Sequence, residues 1–494
     1  MPSPPPPAPE DLAHFSSGRA RRAFTGVLWS GVNALVPTIS GLVVFLFVSR
    51  ILEPAELGYV SLAVAVVGTL GAFSPAGFGD ALVQRSALDG RHLDTTFWLC
   101  LVWGGALYLG TVLLAGPIAA LMREPMLNSL LPVVGLRLIL DQAAVVPSAL
   151  LSRSMQFRSL ALRTLIASVM SMIVCLAVLQ AGYGMWALVA SQLVGAIVVC
   201  VVSWMAVAWR PGRGMDRAAL RDLSHFGGFA SGSRLISTIN VDQLLIGPLI
   251  GSTGLGLFSF ARRIFQMLND VLTGALAGVA YPLLSSMQNE PDKLREAYLA
   301  TTFLSSVLAF PCFVGLALIA EDLIPLLFGP QWTGAVPVLQ WFCAIGLLSC
   351  IGILQAALIR AKGRADWWMW YQLVQQILTG AVIVLLARMG IVAAIAGIAI
   401  KTWLVWPFVA RFVGRLLDLD IRSYMAQFAL PLAGCAAMAA ATSALDHGTA
   451  LSGAALLCTK IAVGAAVYAA VLVLLGRKRL LELRAVIGAG RRRG

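Results

Sequence analysis

Leu57-Gly-Tyr-Val-Ser-Leu-Ala63 returns 198 residues later as Leu255-Gly-Leu-Phe-Ser-Phe-Ala261, with Leu, Gly, Ser and Ala at the same places in both copies. Each copy opens the second apolar stretch in a run of six. An even number of spans per half gives the halves one orientation and relates them by an axis along the membrane normal. The repeat therefore predicts six helices, six more, and a remainder of two. Such symmetry favours a substrate site between two lobes, near the bilayer midplane.

The apolar stretches qualify as spans. Of 494 residues, 59% are hydrophobic and only 12% charged, whereas soluble domains are about 25% charged. The apolar residues fall in blocks of about twenty, the length that crosses a hydrocarbon core of roughly 30 Å. The blocks lie at 24–48, 57–82, 95–121, 127–151, 158–180, 184–208, 225–250, 255–284, 297–320, 333–358, 367–387, 391–410, 424–445 and 451–475. The fold class is an all-α polytopic membrane protein of about fourteen transmembrane helices with essentially no soluble domain. Residues 1–22 read as a Pro-rich flexible tail without signal-peptide character, 23–209 as an N-lobe, 210–223 as a linker, 224–411 as a C-lobe, 412–475 as two C-terminal helices and 476–494 as a basic tail.

Charge supplies an independent check. With the N-terminus inside, twenty-six of the thirty-six basic residues fall in inside connections and tails, and only Arg50, Arg123 and Arg388 fall outside. This is the positive-inside pattern and predicts a cytoplasmic membrane protein with both termini cytoplasmic. The net charge of +13 then points to anionic lipid heads rather than nucleic acid. Trp98, Trp209, Trp332, Trp367, Trp368 and Trp370 sit near proposed span ends, where an indole suits the headgroup region.

Catalytic signatures do not emerge. The eight cysteines lie inside apolar runs without a Cys-x-x-Cys pair, and the four histidines are scattered, so no metal, cofactor or nucleophile is expected. Short connections also argue against a membrane glycosyltransferase or polymerase, which needs an extramembrane segment to carry its catalytic groups.

Several further segments share an order and spacing. They are Leu52-Glu-Pro-Ala-Glu-Leu-Gly58, Gly77-Phe-Gly-Asp-Ala-Leu-Val-Gln-Arg85, Arg153-Ser-Met-Gln-Phe-Arg158, Gly182-Tyr-Gly-Met-Trp-Ala-Leu-Val189, Asn240-Val-Asp-Gln-Leu-Leu-Ile-Gly247, Tyr281-Pro-Leu-Leu-Ser-Ser-Met-Gln288 and Leu327-Phe-Gly-Pro-Gln-Trp332. Together they resemble polysaccharide-biosynthesis flippases of the Wzx type over roughly residues 20–420. The resemblance implies the multidrug/oligosaccharidyl-lipid/polysaccharide exporter superfamily, with two six-helix lobes around a central cavity plus two C-terminal helices. It implies a polyprenyl-diphosphate-linked oligosaccharide as substrate, moved from the inner to the outer leaflet by alternating access for surface polysaccharide biosynthesis. A polysaccharide polymerase and export machinery are the partners that follow.

Charges inside the spans are the candidate site. Each costs roughly 3 kcal/mol at the bilayer centre, so most must pair, snorkel or line a watery cavity. Arg262, Gln266, Asn269 and Thr273 share one face of the eighth span, flanked by Arg263 and Asp270. Ser231, Arg234, Thr238 and Asp242 form a shorter stripe on the seventh. These stripes either wall a cavity or hold packed helices together, Arg234 or Arg263 answering Asp242 or Asp270. An arginine grips diphosphate oxygens with two parallel hydrogen bonds while staying protonated, so Arg234, Arg262 and Arg263 are the candidate diphosphate ligands.

The remaining charges divide similarly. Arg137 and Asp141 are four apart and form a structural pair on one helix face. Arg163 and Lys460 are read as snorkelling residues at inner span ends. Lys401 is deeper and joins the cavity lining. Asp242, Asp270 and Asp80 either answer an arginine or bind a coupling H⁺ or Na⁺. A drug or cation antiporter of the same superfamily and a peptidoglycan lipid precursor flippase are the alternative functions, the former favouring an acid-dominated aromatic cavity.

Overall fold

The computed structural model describes residues 36–491 apart from 86–87, 213, 239, 288–289 and 449–451. Among the described residues the regular structure is helical, without strands. The chain runs through α1 (Val36–Ile51), α2 (Pro54–Ala72), α3 (Gly77–Gln84), α4 (Gly90–Leu113), α5 (Ala115–Leu121), α6 (Leu127–Ala143), α7 (Val145–Arg153), α8 (Phe157–Gln180) and α9 (Trp186–Met205). It continues through α10 (Arg217–Thr238), α11 (Val241–Ile250), α12 (Ser252–Ser286), α13 (Pro291–Phe328), α14 (Val336–Ala361), α15 (Ala365–Leu386), α16 (Ile391–Leu417), α17 (Ile421–Gly448) and α18 (Gly453–Arg491). Among the described residues ten helices are long and apolar enough to cross a membrane, or eleven if the bent pair α6–α7 counts as one span.

This number does not confirm the count of fourteen. The Pro-rich tail and residues 24–35 of the first expected span lie outside the described residues. The seventh expected span, 225–250, is two helices, because α10 ends at Thr238 and α11 begins at Val241. The eighth expected span falls within α12, Ser252–Ser286, where Arg262, Arg263 and Asp270 stand among apolar residues. At the other end α18 continues to Arg491, through the segment read as a basic tail.

The chain forms two compact units. Unit 1 contains residues 1–52 and 59–240, and unit 2 contains residues 53–58 and 241–494. In unit 1, Phe78, Leu82, Leu93, Phe97, Val146 and Leu223 form a buried cluster. Phe97 meets the edges of Trp98, Trp204 and Trp209 at centroid distances of 5.3, 5.5 and 5.9 Å. The α6–α7 pair bends by 41°, and the sequence explains why. Pro147 has no N–H to offer the carbonyl of Ala143, so the helix breaks there. The indole Nε1 of Trp204 donates to that carbonyl at 3.1 Å instead.

Unit 2 repeats the device. Pro311 inside α13 leaves the carbonyl of Val307 without its helical donor, and the hydroxyl of Tyr468 on α18 donates to it at 2.9 Å. The two C-terminal helices are thus part of the unit 2 core. Tyr424 and Phe428 of α17 stack on Tyr298 and Phe310 of α13, and Gln355 Nε2 donates to the Tyr424 hydroxyl at 3.2 Å.

The repeat has a structural meaning within unit 2. Residues 54–58 at the start of α2 cross residues 252–256 at the start of α12. A methyl on Gly58 would overlap the carbonyl oxygen of Ser252, and one on Gly256 would overlap that of Pro54. Backbones approach this closely only where no Cβ intervenes. Beside the crossing, Phe260 stacks on Trp332 at 4.1 Å. Trp332 is fully buried, so its expected place among headgroup tryptophans is corrected: the ring fills the core next to the repeat.

Candidate functional site

The α12 stripe engages other helices of unit 2. Arg262 donates to Asp242 Oδ2 at 2.6 Å, and each side chain is about a quarter exposed. Asp242 stands in the first turn of α11, where its other oxygen accepts the backbone N–H of Gln243 at 2.8 Å. The guanidinium of Arg262 also lies over the Phe258 ring at 5.7 Å. Further along α12, Asn269 Oδ1 accepts a hydrogen bond from Ser349 Oγ of α14 at 2.6 Å. Thr273 is buried, Gln266 half-buried, and Arg263 and Asp270 exposed.

The expected stripe on the seventh span is not one face. The break before Val241 places Ser231 in unit 1 and Asp242 in unit 2. Ser231 Oγ accepts the N–H of Gly77 at 3.1 Å and donates to Gly227 O at 2.7 Å, so it joins α10 to the start of α3. The side chains of Arg234 and Thr238 lie outside the described residues.

Lys401 occupies the α15–α16 interface of unit 2. Its Nζ donates to Gln375 Oε1 at 2.6 Å and Thr379 Oγ1 at 2.9 Å. Gln375 in turn donates to the Tyr371 hydroxyl at 2.7 Å. Tyr371, Gln375 and Thr379 recur every fourth residue and so share one face of α15. Among the described residues Lys401 makes no ion pair. Both of its side-chain acceptors, Gln375 Oε1 and Thr379 Oγ1, are neutral.

Lys460 is different. It is buried, and its Nζ contacts Asp322 of α13 and Asp446 of α17. The snorkelling expectation is thereby corrected, because two carboxylates reach the ammonium inside the protein. Neither was legible as its partner, since Asp322 lies 138 residues away and Asp446, although on the preceding helix, meets Lys460 only once α17 and α18 pack together. Arg163 is corrected likewise. It donates to Ser148 Oγ at 2.8 Å and Ser203 Oγ at 3.1 Å, within the protein rather than toward a headgroup.

Unit 1 also holds the Arg137–Asp141 pair, Nε to Oδ2 at 3.1 Å, with Arg137 reaching Gln192 Oε1 at 3.4 Å. The pair lines a cavity of about 490 Å³. Asp141 also borders a cavity of about 310 Å³ that includes Asp80 and Arg163. Gln142, Gln192, Gln375 and Thr379 were missed in the sequence because isolated carboxamides and hydroxyls carry no pattern until a charged neighbour is known.

Two arginines near helix ends cap neighbouring helices. Arg153 donates to the carbonyls of Leu82 and Arg85 at the end of α3. Arg295 donates to Leu417 and Asp418 at the end of α16. Terminal carbonyls lack helical donors and carry partial negative charge, so a guanidinium suits both needs.

Bundled apolar helices holding charges among them define a multi-pass membrane transporter fold, and comparison with known proteins agrees. The family described as polysaccharide biosynthesis protein matches residues 47–337, and this chain belongs to that family. It is 24% identical to the teichuronic acid biosynthesis protein TuaB of Bacillus subtilis, over 70% of this chain and 72% of that one. It is 23% identical to the lipopolysaccharide biosynthesis protein WzxC of Escherichia coli, over 70% and 71%. With the succinoglycan biosynthesis transport protein ExoT of Rhizobium meliloti it shares 29% identity over 68% of each chain. Among solved structures, the lipid II flippase MurJ superposes with a TM-score of 0.74 at 13% identity, covering 92% of this chain and 100% of the other. An inward-facing multidrug resistance MATE family transporter of the MOP superfamily gives 0.61 at 15% identity, covering 86% and 100%. At these identities the superpositions establish the fold.

Proposed function

We propose that this protein is a transporter rather than an enzyme, and that it moves polyprenyl-diphosphate-linked oligosaccharide repeat units from the inner to the outer leaflet of the bacterial cytoplasmic membrane. The product feeds surface polysaccharide biosynthesis, with a polymerase and export machinery downstream. Both termini are cytoplasmic, and transport proceeds by alternating access. The observation that carries the reading is Lys401, a membrane-helix cation held by the neutral acceptors Gln375 and Thr379, in a chain of the polysaccharide biosynthesis family.

Physical chemistry connects the two. A cation whose partners are neutral has given up water without gaining a counter-charge, so an anionic ligand gains most there. A diphosphate is such a ligand. Arg262 is offset by Asp242 at 2.6 Å and becomes available only if the substrate displaces that carboxylate. Arg234 and Arg263 complete the proposed diphosphate set, and Asp242, released from Arg262, is the proposed coupling site for H⁺ or Na⁺. The family membership and the Wzx- and ExoT-named relatives favour this cargo over a drug cation, which would be repelled by Lys401.

The test is genetic and chemical together. Deleting the gene in its native host should cause lipid-linked oligosaccharide to accumulate on the cytoplasmic face, and wild-type protein should clear it. Lys401→Gln at normal abundance should restore clearance poorly. Full clearance by Lys401→Gln would remove the diphosphate role of this lysine, and unchanged lipid distribution in the deletion strain would remove the flippase reading.

A further inference from the structure

The 490 Å³ cavity lies wholly within unit 1, among α2, α6 and α9. Val67 and Gly68 line its α2 side, and Arg137, Asp141, Gln142 and Gln192 supply its polar side. Arg137 and Asp141 neutralise each other at 3.1 Å while each keeps nearly half its side chain exposed, 45% and 48%. A guanidinium has five N–H donors, and Arg137 commits one each to Asp141 and Gln192.

These groups select a ligand class. Their charges cancel, so a diphosphate gains no net attraction and meets the Asp141 carboxylate. A polyprenyl tail would strip water from an ion pair without replacing its hydrogen bonds. A lipophilic cation would meet Arg137. A neutral sugar ring carries hydroxyls that both donate and accept around its rim, and C–H groups on its faces. It can answer the open N–H donors and the carboxylate and carboxamide acceptors on one side while lying against Val67 and Gly68 on the other. A volume of this size is typical of small-molecule pockets, roughly 300–1,000 Å³.

We propose that this cavity is a subsite for an uncharged sugar ring of the lipid-linked saccharide. The proposal rests on the flippase reading above. It assigns one sugar ring to the neutralised pair and carboxamides of unit 1 and leaves the diphosphate to the cations named under the proposed function. The Arg137–Asp141 pair then has a recognition role in addition to a structural one.

Binding of two probes to the purified full chain tests the division. One is farnesyl diphosphate bearing a single glucose or galactose, and the other is farnesyl diphosphate alone. Wild type should bind at least one sugar-bearing probe about tenfold more tightly than the bare lipid, the discrimination expected of a site built to hydrogen-bond hydroxyls. Gly68→Phe projects into the open space that a Cβ at Gly68 faces, with no atom within 4 Å, and should abolish the preference without weakening the bare lipid. Gln192→Leu should reduce the preference in the same direction. Equal binding of all probes to wild type, or retention of the preference in both folded variants, would overturn the subsite and leave the flippase reading standing. Failure of wild type to bind any of the probes would overturn both.

Discussion

Gly58 and Gly256 occupy equivalent positions in the two copies of the repeat and touch through their backbones. A methyl on Gly58 would reach within 3.1 Å of Gly256 N and overlap Ser252 O, and one on Gly256 would reach within 3.2 Å of Gly58 N and overlap Pro54 O. The obstruction is backbone on both sides, so no rotamer relieves it. Either Gly→Ala change should therefore act as overpacking, costing about 1–3 kcal/mol, and should broaden or aggregate the monodisperse size-exclusion peak. Gly110→Ala, whose Cβ meets nothing within 4 Å, is the control and should leave the peak unchanged.

Tyr468 and Val307 make the second prediction. The Tyr468 hydroxyl stands in for the N–H that Pro311 lacks, at 2.9 Å from the Val307 carbonyl. Tyr468→Phe removes it and strands a buried carbonyl, at a cost of about 1–3 kcal/mol. The thermal midpoint in detergent should fall, whereas Pro311→Ala combined with Tyr468→Phe should recover part of the loss by returning the helical donor. No recovery in the double variant would show that the hydroxyl does not serve the proline-freed carbonyl.

Lys460 ties α18 to α13 and α17 through Asp322 and Asp446. Lys460→Met leaves two carboxylates facing each other without a cation and should destabilise the chain by roughly 3 kcal/mol, the scale of a broken buried pair. Asp322→Asn should cost less, because Asp446 still neutralises the ammonium. Equal thermal midpoints for wild type and Lys460→Met would contradict the clasp.

Acid should loosen the start of α10. Asp216 Oδ1 accepts the backbone N–H of Ala218 at 2.8 Å, and Arg91 lies 3.6 Å away. The Ala218 N–H, with Ala219 and Arg91 behind it, holds this half-buried carboxyl below the usual carboxylate range. Its folded pKa is depressed, so its contribution is complete above the unfolded value of about 3.9 and is lost as pH falls through the folded one. Amide exchange at Ala218 should accelerate below about pH 4 relative to mid-helix amides, when corrected for intrinsic rates. Asp216→Asn should flatten that pH dependence.

Much of the fold was legible because single helices of uniform apolarity need no partner to be recognised. The expected span 158–180 is α8, Phe157–Gln180, and 184–208 contains α9, Trp186–Met205. The break after Thr238 was not legible, because Ser-Thr-Ile-Asn at 237–240 contains neither proline nor glycine. Contacts followed the same rule. Arg137 and Asp141 are neighbours by helical periodicity alone, whereas the Arg262–Asp242 and Lys460–Asp322 pairs join separate helices and depend on tertiary packing. The cation that carries the functional reading, Lys401, was marked by its depth, but its neutral partners could be named only once α15 and α16 were packed together.

The central claim is transbilayer movement of a lipid-linked saccharide, and a reconstituted assay measures it directly. Vesicles containing the purified chain and a fluorescent polyprenyl-diphosphate-linked oligosaccharide would be treated with a membrane-impermeant quencher. Wild-type vesicles should expose the inner-leaflet population to quenching, and Lys401→Gln should slow that exposure about tenfold, the factor for about 1.4 kcal/mol of lost phosphate interaction. An inner-leaflet population that stays protected in wild-type vesicles, as in protein-free ones, would contradict the account.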